Sequence, residues 1–293
     1  MKMCRKIKTS KYTFYAVLAF CFCVIYNVYG NHHSTKSKSD VSVLSQQDIN
    51  RQTITEAISD ENIAVDFSYV GTVNPIEGID ELILERTSYI VSYNSETKCP
   101  NWVAWRLTRE HTSGDVIRMG NAFHEDMEVP EPRANNSDYR KSGFSRGHMC
   151  PAGDNKWSKE AMYETFLLSN ICPQNSNLNS GVWNQIEISC RQWAERYGDI
   201  YIICGPMFLK SHERHYIGES QVSVPDAFFK VILCLNQPKA IGFVCRNSDG
   251  NKKKDMYVNT LNEVERLTGL YFFPLLDKDI RKLVDNQADI NEW

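Results

Sequence analysis

From its N-terminus the chain runs through an unbroken apolar stretch at residues 12–29 (YTFYAVLAFCFCVIYNVY), then a polar one, then a long region where short apolar runs alternate with loops. Residues 31–65 are polar without sustained periodicity and read as a linker. Beyond them, 87–93 (TSYIVSY) and 102–108 (WVAWRLT) are short, β-branched and aromatic, which predicts strands. The same signal predicts strands at 200–204, 227–235 and 240–245. Ser158 is placed to cap a short helix ending near Phe166. Ile186, Cys190, Trp193 and Tyr197 recur at helical spacing and mark the core face of a helix over 181–197. Another helix is expected over 259–268, closed by Gly269. Strands and helices are mixed without regular βαβ alternation, so an α+β fold is expected for a domain over residues 66–293.

Lys2, Arg5, Lys6, Lys8 and Lys11 precede the first apolar stretch, and Val28-Tyr29-Gly30 follows where a signal peptidase would cut. Residues 1–30 therefore read as a secretory signal. The stretch also approaches the roughly 20 residues that cross a bilayer, so a membrane anchor over 12–29 is the alternative. Phe20 and Phe22 before Cys21 and Cys23 do not suit a lipoprotein site. Either arrangement leads the rest of the chain out of the cytosol. The expected location is thus exported, periplasmic or secreted, or anchored to the membrane.

The formal net charge is −3, and removing the five leader cations leaves −8. Proteins that coat nucleic acid through many phosphate contacts are normally basic, so an architectural role is disfavoured and any such contact must be local. Of ten cysteines, seven lie beyond the leader: Cys99, Cys150, Cys172, Cys190, Cys204, Cys234 and Cys245. That odd number leaves at least one thiol unpaired within the chain. There is no CxxC spacing, which argues against a zinc site. A Cys234–Cys245 bridge and buried free thiols both remain open.

Ser145-Arg146-Gly147-His148-Met149 supplies one histidine, a residue that on its own is more often structural than catalytic. Downstream, Asn179, Trp183, Glu187 and Arg191 are spaced by four and would stack along one helical stripe away from the core stripe. Read blandly, this is a solvated face carrying a Glu–Arg pair. Read as chemistry, His148, Asn179, Glu187 and Arg191 supply what phosphodiester hydrolysis needs. An imidazole with a pKa of about 6.5 takes a proton from water near neutrality. An amide oxygen and a carboxylate suit Mg²⁺, which prefers oxygen ligands and keeps several waters. A guanidinium stabilises the charge that builds up on the phosphate.

The blocks SRGHMCPAGDNKW and ETFLLSNICPQNSNLNSGVWNQIE resemble the DNA/RNA non-specific endonuclease family. Its signature is Asp-Arg-Gly-His, then Asn-x-x-Pro-Gln, then Leu-Asn-x-Gly-x-Trp-x-x-x-Glu. Here these are Arg146-Gly147-His148, Asn170-Ile171-Cys172-Pro173-Gln174 and Leu178-Asn179-Ser180-Gly181-Val182-Trp183 with Glu187. Gly205-Pro206-Met207-Phe208, Val224-Pro225, Phe228-Phe229-Lys230-Val231 and Thr268-Gly269-Leu270 extend the likeness, which covers roughly residues 85–280 in order.

The resemblance implies a ββα-metal (His-Me finger) fold, in which a hairpin and a helix grip one divalent ion. It implies His148 as general base and Asn179 as direct ligand of Mg²⁺, with Mn²⁺ able to replace it. Glu187 would reach the ion through water and Arg191 would stabilise the phosphate. Arg118 would be a second arginine from the upstream loop, Asn170 would orient the site, and Arg146 would contact substrate or support its loop. The implied activity is sugar-non-specific endonucleolytic cleavage of DNA and RNA that leaves 5′-phosphate ends.

The chain departs from the signature at Ser145, where the family has aspartate. Serine keeps a hydrogen-bonding side chain and loses the charge, and activity is expected to survive. Two rival readings stand beside this one. The first is a module that keeps the fold and binds without cutting. The second is a metal phosphodiesterase for a smaller substrate, which would need a deep apolar pocket at the histidine. The polar loops at 120–142 and 173–180 instead predict an open, shallow site. Trp157 and Trp183 are candidates for stacking on bases, Trp183 equally for packing beside Asn179. His212-Glu213-Arg214-His215 lacks the His-Glu-x-x-His spacing and reads as a surface loop, and Lys252-Lys253-Lys254 as a solvated turn.

Overall fold

The computed structural model describes residues 66–75, 77–118, 120, 122–248 and 252–293. The expected leader, the linker and His32-His33 lie outside the described residues. The strands, in chain order, are β1 (Leu82–Glu85), β2 (Ile90–Asn94), β3 (Cys99–Leu107), β4 (Ser145–His148), β5 (Ile171–Gln174), β6 (Ile200–Met207), β7 (His215–Ile217), β8 (Val222–Val224), β9 (Ala227–Cys234), β10 (Lys239–Arg246) and β11 (Val258–Asn259). Seven of them form one antiparallel sheet in the order β1-β2-β3-β6-β9-β10-β11, while β4–β5 and β7–β8 are separate pairs. The longer helices are α1 (Lys159–Glu164), α2 (Asn184–Tyr197), α3 (Leu261–Thr268) and α4 (Lys278–Val284). Among the described residues no helix is long and apolar enough to cross a membrane.

Both faces of the large sheet are covered, so its central strands are apolar at almost every position. In β9, Phe228, Ile232 and Cys234 face the core that also holds Ile186, Cys190 and Trp193 of α2. Phe229, Val231 and Leu233 face the opposite core, under Leu261 and Val264 of α3. The fold is α+β, as the pattern of runs predicts.

Several boundaries move for identifiable reasons. β2 starts at Ile90 rather than at 87, because Arg86 N donates to Tyr89 O at 2.8 Å and turns the chain from β1 into β2. α3 starts at Leu261 behind a Thr260–Glu263 capping box, since Asn259 still pairs with Gly242 in β11. Gly269, at φ 75°, closes α3 in the left-handed region. α2 starts at Asn184, later than expected, because Asn179–Trp183 forms a wider π turn with Gly181 at φ −96° and ψ −114°.

All seven cysteines are free and buried. A Cys234–Cys245 bridge is not formed: Cys234 pairs with Lys239 and Cys245 with Phe228, at opposite ends of the β9–β10 ladder. The His212 ring lies 2.7 Å from Asp226 Oδ1 on the exposed surface. Lys254 departs from the expected solvated turn, because its ammonium donates to Ser189 Oγ of α2.

Candidate active site

Arg118, Arg146, His148, Asn179, Glu187 and Arg191 line one cavity of about 410 Å³. Three elements bring them together: β4 ends on His148, the π turn carries Asn179, and α2 carries Glu187 and Arg191. β4 pairs with β5 in the register Gly147↔Cys172 and His148↔Ile171. The sequence did not reveal this hairpin, since each strand has four residues and they contain Gly147 and Pro173. Glycine is required at 147, because a Cβ there would lie 2.3 Å from Gln174 Oε1.

Asn170 does not line this cavity. It is fully buried, and its amide accepts from Cys150 N (2.9 Å) while donating to Cys150 O (2.9 Å) and Thr165 O (2.8 Å). Together with Met149 N donating to Asn170 O at 3.0 Å, these bonds close the excursion between β4 and β5 just behind His148. Ser145 also stays outside the cavity, its hydroxyl 2.8 Å from that of Ser176.

The His148 ring sits between Phe123 (centroids 5.2 Å apart) and the edge-on Phe166 (5.0 Å), and Trp183 Nε1 donates to the His148 carbonyl at 3.3 Å. Its Nε2 is buried and has no hydrogen-bond partner among the described residues. Burial, with a smaller push from Arg118, lowers its pKa to about 3, so the imidazole is neutral across the physiological range. The guanidiniums of Arg118 and Arg146 lie over the same phenyl walls, 5.0 Å from Phe166 and 4.6 Å from Phe123.

Asn179 is set by a chain of amides. Asn247 accepts from Asn175 N at 2.7 Å and donates to the carbonyls of Pro173 and Pro225. Asn175 caps the turn Ser176–Leu178 through the N–H groups of Asn177 and Leu178, and its carbonyl accepts from Asn179 N at 2.9 Å.

The stripe 179/183/187/191 is not a solvated face. Trp183 is fully buried against Phe228, because the π turn rotates it into the core and away from Asn179's surface. Under Glu187 and Arg191 lies a layer the sequence reading missed. Asp154 is buried, with Oδ1 accepting from Arg191 Nη1 (2.9 Å) and Oδ2 from Trp105 Nε1 (3.1 Å). Lys230 is fully buried with its ammonium 4.9 Å from the Trp105 ring and 4.6 Å from Trp183, and that ammonium has no hydrogen-bond partner among the described residues.

Burial raises the Asp154 pKa, an effect Arg191 partly reverses. Burial also raises the Glu187 carboxyl, to about 7, with Lys230 pulling down and Asp154 pushing up. Burial works against the charge on Lys230, but the acidic groups around it, Glu187 and Asp154 among them, outweigh that and hold its pKa above the ordinary lysine value. Arg191 reaches Asp154 over Gly153, where a Cβ would stand 2.9 Å from Arg191 Nη1. Asn184 and Ser180 complete the polar lining. A lysine in the middle of the apolar run FFKVIL was the one available signal for this layer. Asp154, Asn247 and Asn184 carry no such mark.

Among the described residues no group of three or more His, Cys, Asp or Glu side chains could hold a metal ion. The cavity offers the amide oxygens of Asn179 and Asn184 and one carboxylate, that of Glu187. That donor set suits a hard cation that keeps most of its own water, and it does not suit zinc. A cation there would also favour the ionised form of Glu187, which the protein alone disfavours.

On the far side of Phe123 and Phe166 lies a mainly apolar hollow of about 860 Å³. The sequence had pointed to an open, shallow polar site. The His148 cavity is indeed polar, and an apolar hollow lies next to it across Phe123 and Phe166.

A model of the DNA/RNA non-specific endonuclease family matches residues 69–279. The mitochondrial nuclease EXOG of Mus musculus is 38% identical over 248 residues, covering 71% of this chain and 66% of that protein. The mitochondrial endonuclease G of Bos taurus is 36% identical, over 64% of this chain and 68% of that protein. A chain from the crystal structure of the EndoG/EndoGI complex superposes with a TM-score of 0.66 at 29% identity, covering 73% of this chain and 94% of its own length. The chain spans 66%, 58% and 61% of the length of the EXOG nucleases from Mus musculus, Xenopus laevis and Danio rerio. As in that neighbour's fold, β4, β5 and α2 form the ββα unit, with His148 ending β4, Asn179 in the π turn that leads into α2, and Glu187 on α2. The chain belongs to the DNA/RNA non-specific endonuclease family.

Proposed function

We propose that the protein is a metal-dependent endonuclease that hydrolyses phosphodiester bonds in both DNA and RNA. The observation that carries this reading is a polar cavity holding a neutral histidine whose Nε2 has no partner among the described residues, amide and carboxylate oxygens suited to a hard cation, and three arginines. His148 takes a proton from the attacking water. The hydroxide so formed bonds to phosphorus, the bond from phosphorus to the 3′ oxygen breaks, and that oxygen takes a proton from solvent, leaving a 5′-phosphate and a 3′-hydroxyl. Arg191, braced by Asp154, faces the negative charge that develops on the phosphate. Arg118 and Arg146, at the rim, draw in the backbone of an anionic polymer to a protein that is otherwise acidic. Asn179, and Glu187 through water, would hold the cation, with Mg²⁺ the proposed ion and Mn²⁺ able to replace it. When bound, that cation supplies positive charge at the phosphoryl and leaving oxygens.

The test is digestion of supercoiled plasmid and of total RNA by the purified protein, with Mg²⁺, with excess EDTA, and with the His148→Ala variant. Both polymers should be degraded only with metal, and His148→Ala should lose about 10²–10⁴-fold. Binding without cleavage under every divalent ion would sink the catalytic reading.

We also propose that the chain is exported, on the strength of five cations followed by the apolar run at 12–29. The relatives named above are mitochondrial proteins, so organelle delivery is the competing destination. N-terminal sequencing of the mature protein from fractionated cells decides between a cleaved signal, a retained membrane anchor and import.

A further inference from the structure

We infer that the apolar hollow beside His148 is a nucleobase subsite, which takes one unstacked base of a polynucleotide while its backbone lies in the catalytic cavity. This rests on the phosphodiesterase reading above and names the form of its substrate. Phe123 and Phe166 line the hollow, and the same two rings enclose His148. A second depression joins the two spaces. Its Arg118 and Gly153 also line the catalytic cavity, and its Val116 and Lys156 also line the hollow. Val116 N donates to Lys156 O at 3.2 Å, so the two walls of the passage are tied together. The path from catalytic histidine to hollow is one continuous surface.

The far wall presents aromatic faces already held in place. Trp157 is 37% exposed and stacks on His111 at 4.7 Å and 22°. Tyr163 is 53% exposed and stacks on His124 at 4.0 Å and 22°. Rings held this way lose little freedom when a base lies against them, and stacking of this kind tolerates any base. Lys156 and Lys159 line the same hollow, where they match phosphates flanking a bound base. A base inside a duplex is stacked on its neighbours and is not available to the hollow. The preferred substrate is therefore single-stranded nucleic acid, a frayed end or a distorted duplex.

The test is fluorescence anisotropy with the full-length protein in EDTA, using labelled oligothymidylate and an abasic oligomer of equal length and charge. The wild type should bind the thymidylate about tenfold more tightly than the abasic strand. Trp157→Ala and Tyr163→Leu should each remove most of that preference and leave abasic binding unchanged. Tyr163→Leu keeps apolar bulk at a half-exposed position, so its fold is secure. Equal binding of both oligomers by the wild type overturns the inference, as does equal loss on both by the variants. Full competition by free thymidine 5′-monophosphate at matched nucleotide concentration also overturns it, since the hollow would then be a small-molecule pocket. Binding is read without metal. A protein that shows the preference but cuts nothing keeps this inference and loses the nuclease reading, and one that cuts without preference does the reverse.

Discussion

The two faces of the seven-stranded sheet follow the same alternation and hold very different contents. On the face under α3, β9 contributes Ala227, Phe229, Val231 and Leu233, and β6 contributes Tyr201 and Ile203 to an apolar core. On the face under α2, β9 contributes Phe228, Ile232 and Cys234, with Lys230 between them. That side holds all seven cysteines and, around Lys230, the set Asp154, Glu187 and Arg191. Burying charge is unfavourable unless it is paired, and even paired it seldom adds stability over an apolar replacement. The α3 side also buries charge, Arg106 beside Asp199 and Arg281 beside Glu265, but there each guanidinium is met by a carboxylate hydrogen bond, whereas the Lys230 ammonium has no hydrogen-bond partner among the described residues. Gathering Lys230, Asp154, Glu187 and Arg191 in one layer beneath a cavity indicates that the α2 side is organised for chemistry.

The sharpest way to break that comparison is to damage each face equally. Phe229→Ala should cost about 3–5 kcal/mol by cavity formation. Asp154→Ala should cost about 3–5 kcal/mol by stripping a buried ion pair of one partner, and it leaves Trp105 Nε1 without an acceptor. Urea midpoints would read both. Nuclease rate per folded molecule should then separate them: unchanged for Phe229→Ala, and at least about tenfold lower for Asp154→Ala, because Arg191 loses its brace. Equal activity loss in the two variants would mean that the faces are not functionally distinct.

A smaller effect sharpens the comparison within the site face, in metal-free protein. Glu187 is held near 7 against 4.5 in the unfolded chain, so its contribution to stability is full below pH 4.5 and is lost as pH rises through 7. His148 is held near 3 against 6.5, so its contribution is full above pH 6.5 and is lost as pH falls toward 3. Between pH 7 and pH 4.5 the two trends oppose each other, and the wild-type midpoint should move little. Glu187→Gln should uncover a midpoint that falls on acidification, and His148→Leu one that rises. Each slope is bounded by about 1.4 kcal/mol per pH unit and reduced by the open side of the cavity. Saturating Mg²⁺, the proposed ion, should reverse the Glu187 trend, because a cation held through water beside the carboxylate favours its ionised form. Flat profiles in both variants would place both groups in ordinary hydration.

The legibility of the chain follows the same division between faces. The apolar face and the strands that build it were readable because uninterrupted β-branched and aromatic runs have few other uses, as at 227–235 and 240–245. The stripe spacing in α2 brought Glu187 and Arg191 into view, and the motif likeness brought His148 and Asn179. The β4–β5 hairpin was not readable. Its strands are held by register with each other and by Asn170, and four residues containing glycine or proline leave no alternation to read. The full burial of Trp183, whose indole N–H nevertheless reaches His148 O and Glu187, was not readable, because a π turn adds a residue to the helical repeat, which spacing by four cannot anticipate. The apolar hollow escaped because its walls come from separate segments, near residues 114–124 and 156–166, that meet only in the fold.

The least effect is expected at the position that departs most plainly from the family signature. Ser145 points at Ser176 and lies outside the cavity lining, so its side chain touches neither His148 nor the donors Asn179 and Glu187. A carboxylate placed there by Ser145→Asp would act on a bound cation only through space and through solvent. Such exposed charge effects amount to about 0–1 kcal/mol, or less than about fivefold in Mg²⁺ affinity. Titrating Mg²⁺ against the initial rate of plasmid cleavage would read the shift, with the maximal rate changing no more than the affinity. A gain of a hundredfold or more would show instead that residue 145 reaches the metal directly. The hydroxyl pair with Ser176 would then belong to the metal-free state alone, and the β4 terminus would have to rearrange when the ion binds.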